Sequence, residues 1–432
     1  MTGYLICICF ESGVPIFARK IGDVSPISWP LAASLNGLKV FGKANRVELI
    51  SSITESSRVV WKDFHDRLAL IFAGTDDSIT DFHVEHVLVN VFSVLVLSVG
   101  LDEIVRTKSV DKLKKEFRMC YPVIDLILQG LKPNDRTLYF GDLTGCADVA
   151  LQMDPPNNQV NFQTVLDNLM ESIGFNYGCL IANGILIGCT EDWWTLSGTE
   201  MCLITFTASL ISDPVTDAAI FLPSSSPNAS LTEFLAYRFV TFKVVENVRL
   251  CVLCGQEPTL PTIEKEIAKL KKNFSEQLSL FQNRLTPFCR YSRFFNIGKS
   301  ISGFLLVCLD RRRCTFSVFP ERSNEQMNTG HKLDLLRTFY RNTVGSIFPW
   351  SCAAPPMFVS PPIHLHHGSK HVGPTVHKAS EAYWTSEYHK CHAMTFAIFQ
   401  LFVIYEPDIP MLLMRQTTRK LLQELVKEKV MR

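Results

Sequence analysis

The feature that most constrains this chain is a repeat: two short strand-like runs joined by a turn, followed by a helical stretch. The pattern recurs near residues 4–41, 177–210 and 303–348. In the first copy Tyr4–Glu11 and Pro15–Lys20 flank Ser12-Gly13, which reads as a β-hairpin. A helix over Pro30–Phe41 follows; Pro30 suits a first helical turn, and Leu31, Leu35 and Leu38 recur at helical spacing. In the second copy Tyr177–Ala182 and Ile185–Thr190 flank Asn183-Gly184, a dipeptide that accepts the positive φ angles of a two-residue hairpin turn. The third begins with Gly303–Leu309 and Cys314–Phe319, turned at Asp310–Arg313, and continues into a helix carrying Leu333, Leu336, Phe339, Tyr340 and Ile347. One supersecondary unit met three times says more about the fold than any single element.

The first copy continues with strand-like runs at Arg46–Thr54, Ser57–Phe64 and Arg67–Ala73, with turns at Glu55-Ser56 and Asp66-Arg67. Two helices follow, one over Asp81–Ile104 and one carrying Val110 to Leu128, kinked at Pro122. Hairpin, helix, three strands and two helices predict an α/β chain of the α+β type. Each repeated unit is a roughly five-stranded, mostly antiparallel sheet, with one helix on one face and two on the other. The second unit adds a helix with Phe162, Val165, Leu166, Leu169 and Ile173, strands near Ala219–Leu222, Phe234–Val245 and Val248–Cys254, and a helix over Thr262–Leu285. The third adds a Pro-, His- and Gly-rich loop at 349–378, a strand-like run at Thr395–Tyr405 and a closing helix at Gln416–Val430. The expected domains are 1–132, 133–290 and 291–432.

Composition narrows the function. Apolar residues make up 47% of the 432-residue chain and charged residues 20%, so cores can form and no disorder signature is present. With 43 basic and 42 acidic residues, no basic surplus points to nucleic acid. Most cysteines (Cys7, Cys9, Cys179, Cys189, Cys202, Cys251 and Cys308 among them) sit in apolar runs and read as small buried hydrophobes in a reducing compartment. The opening residues lack a basic region and their apolar run is short, which argues against a signal peptide. The longest apolar stretch, Val87–Val99, is shorter than the ~18 residues that span a bilayer and reads as a core helix, so no transmembrane segment is expected.

No constellation reads as a reaction centre. Cys251 and Cys254 form a CxxC inside a strand, where their thiols face opposite sides, so core packing outweighs redox or zinc chemistry. His364, His366, His367, His371 and His377 cluster in the polar loop, read as an insertion rather than a metal site. His83 and His86 lie three apart but lack a completing ligand, and read as surface histidines at a helix start. Asp63 and His65 share a strand face with no nucleophile near them. Arg311, Arg312 and Arg313 read as a solvated hairpin tip that leaves peripheral membrane contact open. No phosphate-binding loop is present, so the chain itself should bind no nucleotide, and no cofactor or metal is expected.

SGVPIF (Ser12–Phe17), SLNGLKVFG (Ser34–Gly42), VVWKDFHDRLALI (Val59–Ile71), VGLDEI (Val99–Ile104) and DKLKKEFR (Asp111–Arg118) resemble the Fuzzy family of planar cell polarity effectors. GDLTGCADV (Gly141–Val149), EDWW (Glu191–Trp194) and LCVLCG (Leu250–Gly255) extend the likeness; beyond residue 300 it rests on CTFSVFP and RTFY. The resemblance implies a tri-longin, non-catalytic protein. It implies pairing with an Inturned-like subunit, and exchange activity of that pair on a Rab-family small GTPase. It further implies a ciliogenesis complex with a Fritz-like WD-repeat subunit and a Rab-like GTPase, in the cytoplasm, at the basal body and on the cytoskeleton, with a part in hedgehog signalling. The alternatives are a scaffold or effector subunit that binds the GTPase without exchange, and a longin-type vesicle adaptor.

In tri-longin exchange factors the first longins of two subunits join through edge strands, and the GTPase sits across the joined platform. Carried onto this chain, that arrangement makes Pro15–Lys20 the exposed edge, beside the helix Pro30–Phe41. The expected interface residues are Pro15, Phe17, Arg19, Lys20, Leu31, Leu35 and Leu38. Proline at Phe17 should then break pairing with the partner and leave the monomer folded.

Overall fold

The computed structural model describes residues 2–75, 79–131, 150–151, 161–182, 184–223, 234–283, 300–310, 312–319, 329–348 and 379–427. Asn183, Arg311, the segment 141–149 and the five histidines of the 349–378 loop lie outside the described residues. Three sheets are present among the described residues. The first and its helices form one compact unit; the second and third lie in another.

The first unit runs β1 (Gly3–Cys9), β2 (Pro15–Ile21), α1 (Trp29–Ala44), β3 (Ser51–Ile53), β4 (Arg58–Phe64), β5 (Leu68–Gly74), α2 (Asp81–Val99), α3 (Leu101–Arg106), α4 (Val110–Glu116), a 3-10 turn (Phe117–Cys120) and α5 (Tyr121–Gln129). Its sheet is ordered β2-β1-β5-β4-β3 and all its pairs are antiparallel. The near-continuous apolar runs of β1 and β5 occupy the middle, where both faces are covered. Ile6, Ile8, Trp61 and Ile71 face α1 and pack on Ala32. The alternate residues face the other helices: Phe64 stacks on Phe92 of α2 at 4.1 Å, and Phe17 meets Phe117. One helix on one face and several on the other follow the expected layering.

Local differences have local causes. The third strand is Ser51–Ile53 rather than Arg46–Thr54. Arg46 adopts φ 59° and the Val47 N–H donates to the Gly42 carbonyl, so this stretch closes α1 instead of joining the ladder. The β4–β5 turn centres on His65 and Asp66, at φ 54° and 49°, one residue earlier than expected. The single helix expected over Asp81–Ile104 divides at Gly100, whose φ of 89° favours glycine. Pro122 does not kink a helix; it sits in the first turn of α5, and the break is the 3-10 turn before it.

The second unit contains β6 (Ala150–Leu151), α6 (Phe162–Ile173), β7 (Tyr177–Ala182), β8 (Ile185–Cys189), α7 (Gly198–Leu210), β9 (Val215–Pro223), β10 (Phe234–Val245), β11 (Val248–Cys254) and α8 (Leu260–Asn283). Its first sheet is ordered β8-β7-β11-β10-β9. A Ser197–Glu200 capping box starts α7. The chain continues with β12 (Ile301–Cys308), β13 (Arg313–Val318), α9 (Thr329–Ser346), β14 (Glu381–Thr385), β15 (Lys390–Phe396), β16 (Phe399–Tyr405) and α10 (Met411–Lys427). The order β14-β15-β16-β12-β13 makes a third antiparallel sheet, to which β6 adds a short parallel pairing with β13. The run Thr395–Tyr405, expected as one strand, is the end of β15 and all of β16, joined at Ala397 with φ 51°. Leu421, Leu422 and Leu425 of α10 cover Phe304, Leu306 and Val403.

Candidate interaction surface

Strand order leaves β2 at an edge of the first sheet, so among the described residues one side of its backbone has no neighbouring strand. Such an edge is a template for another chain. Helix α1 touches β2 and lies over the central strands.

The helix is built inside out. Its buried positions are Ala32, Asn36 and Lys39. Lys39 Nζ meets Asp63 Oδ1 at 2.5 Å, with the lysine side chain 8% exposed. Leu35 is half-buried against the core and accepts a hydrogen bond at its carbonyl from Trp61 Nε1 at 3.1 Å. The large apolar side chains point outward: Trp29, Leu31, Leu38 and Val40 are about half exposed, and Phe41 is 70% exposed. From Trp29 to Phe41 no exposed position of α1 carries a charge. The segment after the helix also exposes Val47, Ile50 and Ile53. Gly37, on the outer side, would place a Cβ with nothing within 4 Å. An exposed glycine inside a helix costs roughly 0.5–1 kcal/mol relative to alanine, and the free chain offers no steric reason for it.

The seven interface residues expected from the sequence are therefore divided. Leu31 and Leu38 lie on the outer face and Lys20 is exposed on β2. Pro15 is half-buried at the start of the strand. Phe17 belongs to the core: it is 3% exposed and packs on Phe117 and Tyr121. Proline there would remove a core aromatic, so that substitution cannot leave the monomer intact. Arg19 is engaged within the chain by both Asp125 oxygens, one at 2.8 Å, and lies over the Tyr121 ring. The Asp125 hydrogen bond pushes the Arg19 pKa up further. Trp29, Gly37, Val40 and Phe41 share the outward side of α1 and were not expected there; the signal for that side was the polar spacing of Asn36 and Lys39, which marks the buried one.

Other sequence candidates settle into structural roles. Cys251 and Cys254 are buried on β11, and Cys251 pairs in register with Cys179. His83 is not at the surface: it is 1% exposed, its Nδ1 lies 3.0 Å from Thr80 Oγ1, and burial pushes its pKa down to about 3. Half-buried His86 contacts the Phe82 carbonyl. Asp63 is held by Lys39, and His65 lies in the turn beyond β4. Arg313 is not a solvated tip residue: it is 2% exposed, with its guanidinium carbon 3.0 Å from the Trp194 ring centre. Among the described residues no group of three or more His, Cys, Asp or Glu could hold a metal ion. Helix α2 is long and apolar enough to cross a membrane by composition, and most of its side chains are buried within its own unit.

Comparison with known proteins agrees with this architecture. The chain matches family models described as the first, second and third longin domains of FUZ, MON1 and HPS1, at residues 4–127, 174–272 and 300–429 respectively. It is 31% identical over 441 residues to the protein fuzzy homolog of Xenopus tropicalis, covering 98% of each chain. It is also 31% identical over 354 residues to the Homo sapiens protein fuzzy homolog, covering 81% of this chain and 80% of that one. Three longin domains in succession and a full-length relative show that the chain belongs to the Fuzzy family of planar cell polarity effectors.

Proposed function

We propose that this chain is one subunit of a heterodimeric guanine-nucleotide exchange factor for a Rab-family small GTPase and does no bond-making chemistry itself. Its partner is an Inturned-like subunit, docked on the outer edge of β2 and the outward face of α1. The observation that carries this reading is the inverted helix: Lys39 and Asn36 are buried while Trp29, Leu38 and Phe41 are exposed beside an unpaired strand edge. Edge-to-edge strand pairing supplies directional hydrogen bonds, and the uncharged helix face supplies apolar area. Arg19 takes no direct part, because Asp125 already holds it.

Exchange then follows from differential binding: a platform that holds the nucleotide-free GTPase better than the loaded one shifts the population toward release. The same reading puts the pair in a ciliary complex at the basal body, with a Fritz-like WD-repeat subunit. The test is mant-GDP release from a Rab protein by the chain co-purified with its partner. Acceleration that disappears with Leu38→Asp supports the exchanger. Tight binding of the GTP-loaded form without acceleration supports a scaffold instead.

A further inference from the structure

The second longin domain contains a polar cavity remote in sequence from α1 and β2. It is a partly open cavity of about 250 Å³ lined by the β10–β11 turn, by Ile181 of β7 and Gly184 before β8, and by the C-terminal end of α7. Lys243, Arg249, Ser212 and Asn247 supply its side-chain donors, the Ser209 hydroxyl being given to the Phe206 carbonyl, and among the described residues of its wall Glu246 is the only acidic one.

Arg249 is 9% exposed. Its guanidinium donates to Thr241 Oγ1 at 3.3 Å and to the Asp213 carbonyl at 2.6 Å, both uncharged acceptors. A guanidinium has five N–H donors, and a buried cation is costly unless an anion meets it. Burial pushes the Arg249 pKa down, opposed by Cys251 and by the exposed Asp213 carboxylate, which is not part of the cavity wall. Lys243 stands directly opposite Arg249 in the β10–β11 register. Like charges facing each other across strands destabilise a sheet. Glu246 Oε2, 2.5 Å from Lys243 Nζ, answers that ammonium, so one wall carboxylate serves two cations. The end of α7 contributes about half an elementary negative charge, less than the guanidinium carries.

We propose that this cavity binds a phosphate-type oxyanion, gripped by the Arg249 guanidinium with Ser212 Oγ as a further donor and Lys243 at the rim. Arginine presents paired N–H groups that match two oxygens of such an anion. Ile181, Ile211 and Val248 give apolar wall beside these donors, suited to the stem of a side chain that carries the anion.

The test titrates the full chain by calorimetry and thermal melting with inorganic phosphate and with a phosphoserine peptide, against sodium chloride at matched ionic strength. Saturable binding and a raised melting temperature are expected with phosphate and absent with chloride. Peptide binding about tenfold tighter assigns the anion to a phosphorylated protein; equal or weaker peptide binding assigns it to free phosphate. Lys243→Gln should weaken binding several-fold and Glu246→Gln, which frees Lys243, should tighten it. These two carry the test if Arg249→Gln fails to fold. Responses that track ionic strength alone, or that neither Lys243→Gln nor Glu246→Gln alters, overturn the proposal.

Discussion

At the scale of single residues, buried charge and buried imidazole decide what can be measured. Lys39 and Asp63 form a pair in which the lysine is nearly sealed and the aspartate is about a quarter exposed. Asp63→Ala leaves that ammonium buried without its counter-charge and should cost about 2 kcal/mol, below the figure for fully enclosed pairs because Asp63 is partly hydrated. Lys39→Met keeps the stem volume and should cost under ~1 kcal/mol. Urea unfolding of the two variants checks the asymmetry. Burial holds His83 near a pKa of about 3 and His392 near about 4. Both values lie below the ~6.5 of an unfolded histidine, so the unfolded chain takes up protons first as pH falls. Stability is full above pH ~6.5 and drops as pH falls toward the folded values, by up to ~1.4 kcal/mol per pH unit for each histidine. Melting temperatures between pH 7 and 5 should fall in the wild type and fall less in His83→Gln or His392→Gln. Residue type alone hid these features. His83 and Arg313 read as surface groups because a polar side chain in sequence does not announce the Thr80 hydroxyl or the Trp194 ring that accommodates it. Phe17 read as an interface residue because its strand is at an edge, yet its side chain points to the α4–α5 side.

At the scale of elements, α1 matters most. Its existence was legible from Pro30 and the leucine spacing, but its orientation was not. Periodicity identifies a stripe and does not say which side of the helix the stripe faces. The buried contacts of Ala32 and Lys39 turn Leu31 and Leu38 outward. Gly37→Ala tests the purpose of the exposed glycine. In the free chain its Cβ meets nothing, so thermal unfolding should show a gain of roughly 0.5–1 kcal/mol. Partner binding should weaken in the same protein if the partner's backbone approaches there, as titration calorimetry would show. Three departures from expectation fall where the backbone takes a positive φ: Arg46 shortens β3, Gly100 divides the long helix, and Ala397 makes two strands of one run; the break before Pro122 is instead a 3-10 turn. Only the glycine among these carries a compositional mark; at Arg46 and Ala397 tertiary pairing overrides residue preference.

At the scale of the whole chain, three sheets with hairpin starts were legible because β1, β5, β11, β12 and β16 are long apolar runs that need cover on both faces. The two-residue β6, which extends the third sheet by parallel pairing, is too short to leave a pattern. Docking partners are written even more faintly, since an apolar helix face specifies that something covers it and leaves the identity of that cover to family resemblance. The proposed docking of an Inturned-like subunit on the uncharged outer side of α1, beside the β2 edge, can be tested directly. The most direct measurement is the affinity of that subunit for the wild-type chain and for Leu38→Asp/Phe41→Asp, with urea unfolding of each free chain alongside. A loss of affinity of at least a hundredfold, about 2.7 kcal/mol, is expected, with the unfolding midpoint unchanged or raised. Undiminished affinity in the folded double variant would contradict it.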